Sequence, residues 1–317
     1  VAAAFAASNA LAEGQLLVNG EAYDGENLQA YAESAEAHQN WVDNVTTDGL
    51  TAEIKNPESG SAYIQAKELN ITNGSDITVS GKGNFISGDT VTNIDKTSTV
   101  SLKNGGHIVS AYDTDHNDRS VNIEGTVNMD DGIIRAASNK DGSNYSSVDI
   151  SGKVNAQTET NYIASVMTNI SGAIEVAQQA ILEFAGDMLR QDNPGEAEYG
   201  TLTGPDKEKA GTVVIAEGGE IINNGTVSTT KSVKLVNNGN MSAGEYNILG
   251  GYESDGGYLG NPEDLTGNES NIKINGNVNL DNNARIVAAT QNDNGAVTIA
   301  KADTINVKNG SSIDAVT

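Results

Sequence analysis

Ile123-Glu-Gly-Thr-Val-Asn-Met129 decides the fold, because the chain writes it again as Ile150-Ser-Gly-Lys-Val-Asn-Ala156, Ile170-Ser-Gly-Ala-Ile-Glu-Val176 and Ile274-Asn-Gly-Asn-Val-Asn-Leu280. Around each copy the apolar residues alternate: Val121 and Ile123 precede Val127 and Met129, and Val148 and Ile150 precede Val154 and Ala156. Period-two alternation is that of a strand with one buried face. The glycine between the two short runs marks a corner, where the backbone turns tightly or takes a positive φ.

A second heptad follows the same logic: Ile71-Thr-Asn-Gly-Ser-Asp-Ile77, Leu102-Lys-Asn-Gly-Gly-His-Ile108, Ile215-Ala-Glu-Gly-Gly-Glu-Ile221 and Val307-Lys-Asn-Gly-Ser-Ser-Ile313. A third, shorter version is Ile222-Asn-Asn-Gly-Thr-Val227 and Val236-Asn-Asn-Gly-Asn-Met241. Asn-Gly also suits a two-residue hairpin, which would give an antiparallel meander. Recurrence argues for the other reading. Units of roughly 20 to 30 residues, with polar loops such as Asn139-Lys-Asp-Gly-Ser-Asn-Tyr-Ser146 absorbing the variation, describe a stack of coils. The sequence therefore predicts an all-β chain, a parallel β-helix (β-solenoid) with an N-terminal capping helix, in which aliphatic residues pile into ladders.

Composition agrees with a thin core. Of 317 residues 37% are hydrophobic and 4% aromatic, with 35 glycines and one tryptophan, which is poor material for a thick globular interior. The absence of cysteine removes disulfide frameworks, thiolate metal sites and thiol catalysis together. Forty-three acidic against 18 basic residues, a net charge of −25, repels nucleic acid and anionic lipid. No apolar run reaches the length of a membrane-spanning helix.

Three regions follow. Residues 1–12 form an apolar tail that reads equally as the remnant of a secretory signal and as an ordered mature N-terminus; both imply export. Residues 13–60 are expected to be a helical cap, since Leu28, Tyr31, Ala35 and Val42 share a helical spacing and Asp24 is placed to cap it. Such a lid would hide the first unpaired strand edge. Residues 61–317 are the β-helix. Within it, Ile170, Ile174, Ala177, Ile181, Phe184 and Met188 also fit a helical stripe, so 170–191 is open between helix and strand. The sequence breaks off in mid-pattern at Ile313 and Val316, which implies either further chain or a second molecule on the last coil.

Loops are expected on one side, after Ile108-Val-Ser-Ala-Tyr112, Ile133-Ile-Arg-Ala-Ala137 and Ile286-Val-Ala-Ala289. One of them clusters Asp113, Asp115, Asn117 and Asp118, a spacing that begins a calcium loop but lacks its central glycine and late glutamate; a solvated polar turn is the simpler account. No other cofactor is expected. The longest insertion carries Tyr252 and Tyr258, candidates for contact with a host or neighbouring-cell glycan or protein. His38, His107 and His116 have no zinc spacing, Trp41 reads as lid packing, and Arg135 and Arg285 read as outward, solvated residues at related places. No catalytic constellation emerges, so a non-enzyme is expected.

Runs such as Ile170-Ser-Gly-Ala-Ile-Glu-Val176 and Val233-Lys-Leu-Val-Asn-Asn-Gly-Asn-Met241 resemble the passenger regions of bacterial autotransporters and haemagglutinin-like surface adhesins, from about Ser61 to Thr317. The resemblance implies an extracellular or cell-surface β-helix; no membrane-barrel translocator follows in the sequence, and no family residue maps to a named position. Head-to-tail self-assembly is the expected partnership, through Val1, Phe5 and Leu11 of one copy and Ile313 and Val316 of the next. The alternative is a polysaccharide-active enzyme or phage-type fibre domain on the same scaffold.

Overall fold

A computed structural model describes residues 14–25, 27–34, 37, 42–57, 61–110, 119–136, 146–186, 211–229, 233–243, 248–251, 271–274, 276–281, 283–289, 296–299 and 304–316. The described residues are all-β apart from one helix, with strands in a sheet of twenty and a sheet of ten. From Asn44 onward each strand pairs in parallel with its equivalent one coil later, which gives three faces visited in turn.

The first face stacks Asn44–Asp48, the second halves of Tyr63–Thr72 and Phe85–Ile94, then Arg119–Ile123, Ser146–Ile150, Met167–Ile170, Gly211–Ile215, Val233–Asn237, Asn271–Ile274 and Ala296–Ile299. The second stacks Thr51–Ile54, Asp76–Ser80, Thr99–Lys103, Thr126–Asp130, Lys153–Thr158, Ala173–Val176, Glu220–Asn223, Asn240–Ala243, Asn277–Leu280 and Ile305–Val307. The third begins with the first halves of Tyr63–Thr72 and Phe85–Ile94. It continues through His107–Ser110, Ile133–Ala136, Thr160–Ala164, Ile181–Ala185, Thr226–Thr229, Ile248–Gly251, Arg285–Ala289 and Ser312–Val316. This is the winding of a parallel β-solenoid. The open question over 170–191 resolves, as far as Ala185, in favour of strands: Ile170 pairs with Ile150, and a corner at Ser171-Gly172 precludes a continuous helix.

Register turns alternation into columns. On the first face Ile71, Ile94, Ile123, Ile150, Ile170 and Ile215 lie one above the next, all buried. The second face does the same with Ile77, Val100, Val127, Val154 and Ile174, and the third with Ile64, Ile86, Ile108, Ile134, Ile163 and Phe184. Each such side chain withdrawn from water contributes about 1.5–3 kcal/mol, so the narrow core is long enough to hold the coils. Outside, amides run in parallel ladders: Asn122 donates to Asn93 (2.8 Å), Asn93 to Asn70 (2.9 Å) and Asn155 to Asn128 (2.8 Å).

Two kinds of glycine corner are present. Asn73-Gly74, Asn104-Gly105 and Asn309-Gly310 are turns in which both residues have positive φ, the conformation that favours Asn followed by Gly. They serve the first-to-second corner at Gly74 and the second-to-third corner at Gly105 and Gly310, so the second heptad is a module used at either place. In the opening heptad the reason for glycine is different. Gly125, Gly152 and Gly172 do not take a positive φ; they stack on one another. A Cβ on Gly152 would lie 2.1 Å from the Gly125 carbonyl oxygen, and one on Gly172 at 2.1 Å from that of Gly152. The closeness lets the ladder run through the corner: Ser151 and Gly152 both donate to the Ile123 carbonyl at 2.9 Å, and Ser171 and Gly172 to that of Ile150 at 2.8 and 2.9 Å.

Where the third, six-residue motif places asparagine inward, the amide serves the corner. Asn237 is fully buried in the isoleucine column; its Oδ1 accepts from the Gly239 amide (3.0 Å) and its Nδ2 donates to the Asn277 carbonyl (2.9 Å). Asp95 clamps another corner. Its carboxylate accepts from the Asn73 amide of the preceding coil, the Thr97 amide and the Thr97 and Ser98 hydroxyls, at 2.7–3.0 Å.

At the front the structure departs from expectation. The helix from Asp24 is only Leu28–Ala32, capped by Asn27, whose side chain accepts from the Ala30 amide at 3.0 Å. Much of 13–60 is strand, and the winding starts at Asn44 rather than Ser61. Gln15–Val18 lies antiparallel to Asn44–Asp48 and forms a hairpin with Glu21–Ala22, the two exceptions to parallel pairing among the described strands. Gln29 of the helix exchanges two hydrogen bonds with the Lys55 backbone (2.8 and 2.9 Å), in the manner of a strand partner. Trp41 and His38 lie outside the described residues.

Three substitutions have expected outcomes. Gly152→Ala lowers stability in urea denaturation followed by circular dichroism by about 1–3 kcal/mol, since backbone must move to admit the methyl. Gly74→Ala, in open space but at φ +78°, loses only about 1 kcal/mol; the reverse order would contradict the close-approach account. Burial raises the Asp95 pKa, but hydrogen bonds from Ser98, Asn73 and Thr97 outweigh it and bring the group from 3.8 to about 2. The carboxylate's contribution is therefore complete above pH 3.8 and is lost as pH falls through about 2. Asp95→Asn should flatten the acid limb of the stability profile in that window.

Candidate interaction surface

The corners differ in what they tolerate. Between the first and second faces the chain passes in two to four residues wherever the stacked glycines occur, as at Glu124-Gly125 and Ser171-Gly172. Between the third and first faces the described strands are separated by the segments 111–118, 137–145, 186–210, 252–270 and 290–295, and in two coils by the short links 165–166 and 230–232. The loops expected on one side fall on these segments, outside the described residues; a connection of similar length, 55–62, runs from the second face at Thr51–Ile54 to the third at Tyr63–Thr72.

The candidate calcium ligands Asp113, Asp115, Asn117 and Asp118, the tyrosines Tyr252 and Tyr258, and Val1, Phe5 and Leu11 all lie outside the described residues, as does His116. Ile313 continues the inner column of Ile286 on the final strand and is half-buried; Val316 lies near that strand's end, paired with Ala289. Among the described residues no group of three or more His, Asp or Glu is arranged to hold a metal ion, and no helix is long and apolar enough to cross a membrane.

The outer side of the third face, beside the insertion corner, is unlike the other outer surfaces. Parallel, in-register pairing puts Tyr63, Phe85, His107, Ile133, Tyr162 and Glu183 in one outward column. Strand spacing is also a ring-stacking distance. Tyr63 and Phe85 accordingly stack with centroids 4.6 Å apart and planes at 13°, and His107 follows on the next rung. All three are buried, as are Gln65, Ser87 and Val109 in the adjacent column. Gln65 donates to Asp89 (3.3 Å), and the Ser110 hydroxyl ties the third strand to the Gly88 carbonyl (2.7 Å).

Several residues sit differently from the sequence reading. Arg135 is 6% exposed and Arg119 2%; neither is a solvated surface group. Arg285 is half-buried, in the column of Ile181, Thr226 and Ile248, whereas Arg135 pairs with Val109 and Ala164, so the two arginines do not occupy equivalent places. His107, within a corner heptad, is 4% exposed, with neither ring nitrogen hydrogen-bonded among the described residues. Burial and then the Arg135 charge push its pKa down from 6.5 to about 4, and the nearby Asn84 carbonyl opposes this only weakly. The signal in the sequence was the lack of alternation in Tyr63-Ile-Gln-Ala, Phe85-Ile-Ser-Gly and His107-Ile-Val-Ser, which is how strands buried on both sides are written.

A polar concavity lies over the second face near its end, among Asn224, Ser242, Asn279, Asp281, Asn306 and Lys308. It offers amide and carboxylate oxygens with one ammonium group. Comparison with protein-family models, with curated proteins and with solved structures gives no match.

Because folded His107 titrates at about 4 and the unfolded side chain at 6.5, the unfolded state binds the extra proton between those values, and stability falls as pH drops through that window. His107→Phe, which extends the aromatic stack, should remove that slope in urea titrations across the window. A slope unchanged by the substitution would show that His107 is not the group responsible.

Proposed function

We propose that the chain is an exported, non-enzymatic bacterial surface protein. In this reading the solenoid is a rigid stalk that displays its insertions along one corner for adhesion and joins end to end with further copies. The observation that supports it best is the division of labour between corners: the first-to-second corner is locked by backbone contact, while long inserts leave between the third face and the first. Such a body presents a row of loops at a fixed spacing of about 4.8 Å per coil or multiples of it. The likeness of its heptads to autotransporter passengers and haemagglutinin-like adhesins points the same way, as does the acidic surface, which favours solubility outside the cell.

The proposed assembly pairs the front of one copy with the last described rung of another. In the proposed assembly, Gln15–Val18 and the helix Leu28–Ala32 cap the front, covering the edges of the first coil. At the other end the rung of Ala296–Ile299, Ile305–Val307 and Ser312–Val316 leaves Ile299 52% and Val307 41% exposed. A further strand, added in parallel, would bury both. Residues 1–12, with Val1, Phe5 and Leu11, are the proposed donor from the next copy.

Electron microscopy and light scattering of the purified chain test this directly. Fibres or ordered multimers are expected, and loss of them on deleting residues 1–12. Monomers at all concentrations, or fibres indifferent to the deletion, would overturn the assembly.

A further inference from the structure

The chain carries several Asn-Gly pairs, and the fold treats them unequally. Loss of ammonia from asparagine begins when the following backbone amide nitrogen attacks the side-chain carbonyl carbon. An amide held by a good acceptor is kept from that reaction. In the interior of the stack the glycine amide is held at each described pair. Gly74 donates to the Thr97 hydroxyl (2.9 Å), Gly105 to the Asp131 carbonyl (2.7 Å), Gly225 to Asn223 Oδ1 (3.0 Å) and Gly239 to Asn237 Oδ1 (3.0 Å).

Asn19-Gly20, the turn between Gln15–Val18 and Glu21–Ala22, is arranged the other way. Gly20 is exposed, at φ +81° with open space around it, and its amide has no hydrogen-bond acceptor among the described contacts. The electrophile, by contrast, is prepared. Asn19 Oδ1 accepts from two backbone amides, Asp43 at 3.0 Å and Asn44 at 3.1 Å. Two fixed donors on a carbonyl oxygen stabilise the negative charge that develops there when a nucleophile adds.

We infer that Asn19 is a self-modification site, converted to aspartate or isoaspartate by its own glycine neighbour. Hydroxide removes the Gly20 amide proton, and the nitrogen attacks Cγ of Asn19. The new N–Cγ bond forms as the Cγ–Nδ2 bond breaks, and ammonia departs with a proton from water. Water then opens the five-membered imide at either carbonyl; one cleavage gives aspartate, the other isoaspartate with the main chain running through the former side chain. Nothing is oxidised or reduced.

The position gives the reaction a consequence. The Asn19 amide donates to the Asn44 carbonyl (2.8 Å), and its side chain holds the start of Asn44–Asp48. An added methylene in the backbone shifts the register of Gln15–Val18 against that strand. The edge of the first face would be uncovered by ageing of the protein.

The test is peptide mapping by mass spectrometry of the intact folded chain, incubated in mildly alkaline buffer, with a urea-denatured sample alongside. In the folded sample Asn19 should be modified at least about tenfold faster than Asn73, Asn104 and Asn238, because those pairs must open locally before they can react. In urea the four should converge. Asn309, whose Gly310 amide is also without an acceptor among the described residues but whose side-chain carbonyl is held by none of them, should fall between. Equal rates in the folded protein, or Asn309 ahead of Asn19, would overturn the inference. The chemistry is read without any assembly, so its failure is separate from failure of the proposed function.

Discussion

The corner between the first and second faces is the constraint on which the rest depends. Strands on flat faces pair readily, but a coil must also turn, and a turn ordinarily pushes neighbouring backbones apart. At Gly125, Gly152 and Gly172 the missing Cβ lets one corner settle on the carbonyl oxygens of the corner before it, so that adjacent amides share one acceptor and the ladder is not interrupted. In-register stacking of the faces follows from that contact, and from register follow the aliphatic columns, the amide ladders and the stacked aromatic rings.

Much of this was legible in the residues. Alternation around Val121 and Ile123 named the strands, and repetition of the heptad named the coils, because register in a parallel stack requires equivalent residues at equivalent places. What the residues did not disclose was why glycine is there. A glycine needed for close approach and one needed for a positive φ look identical in one dimension, and only the neighbouring coil distinguishes Gly152 from Gly74. The helix from Asp24 failed for a related reason. Helical spacing in a short segment is also compatible with strands and a little over one helical turn, here Gln15–Val18 antiparallel to Asn44–Asp48 and the helix Leu28–Ala32.

The outer side of the third face was the least legible part. Outward positions are polar by default in a solenoid, and reading Arg135 as solvated applied that default. The run Tyr63-Ile-Gln-Ala breaks the rule on its own strand, and the same break at Phe85 and His107 shows that it belongs to the face rather than to one residue. A buried imidazole beside a guanidinium is the electrostatic result, and it adds an acid-sensitive group on this face to the one at the Asp95 corner.

The measurement closest to the central claim is a set of spin-label distances by pulsed electron paramagnetic resonance. The chain has no cysteine, so labels can be placed in pairs without removing anything. Asn70, Asn93, Asn122, Asp149 and Asn169 occupy successive rungs of one outward column. Separations from position 70 should grow by about 4.8 Å per rung, to about 19 Å at position 169. Distances that fail to increase in that order would contradict coaxial parallel winding and the corner contact that imposes it.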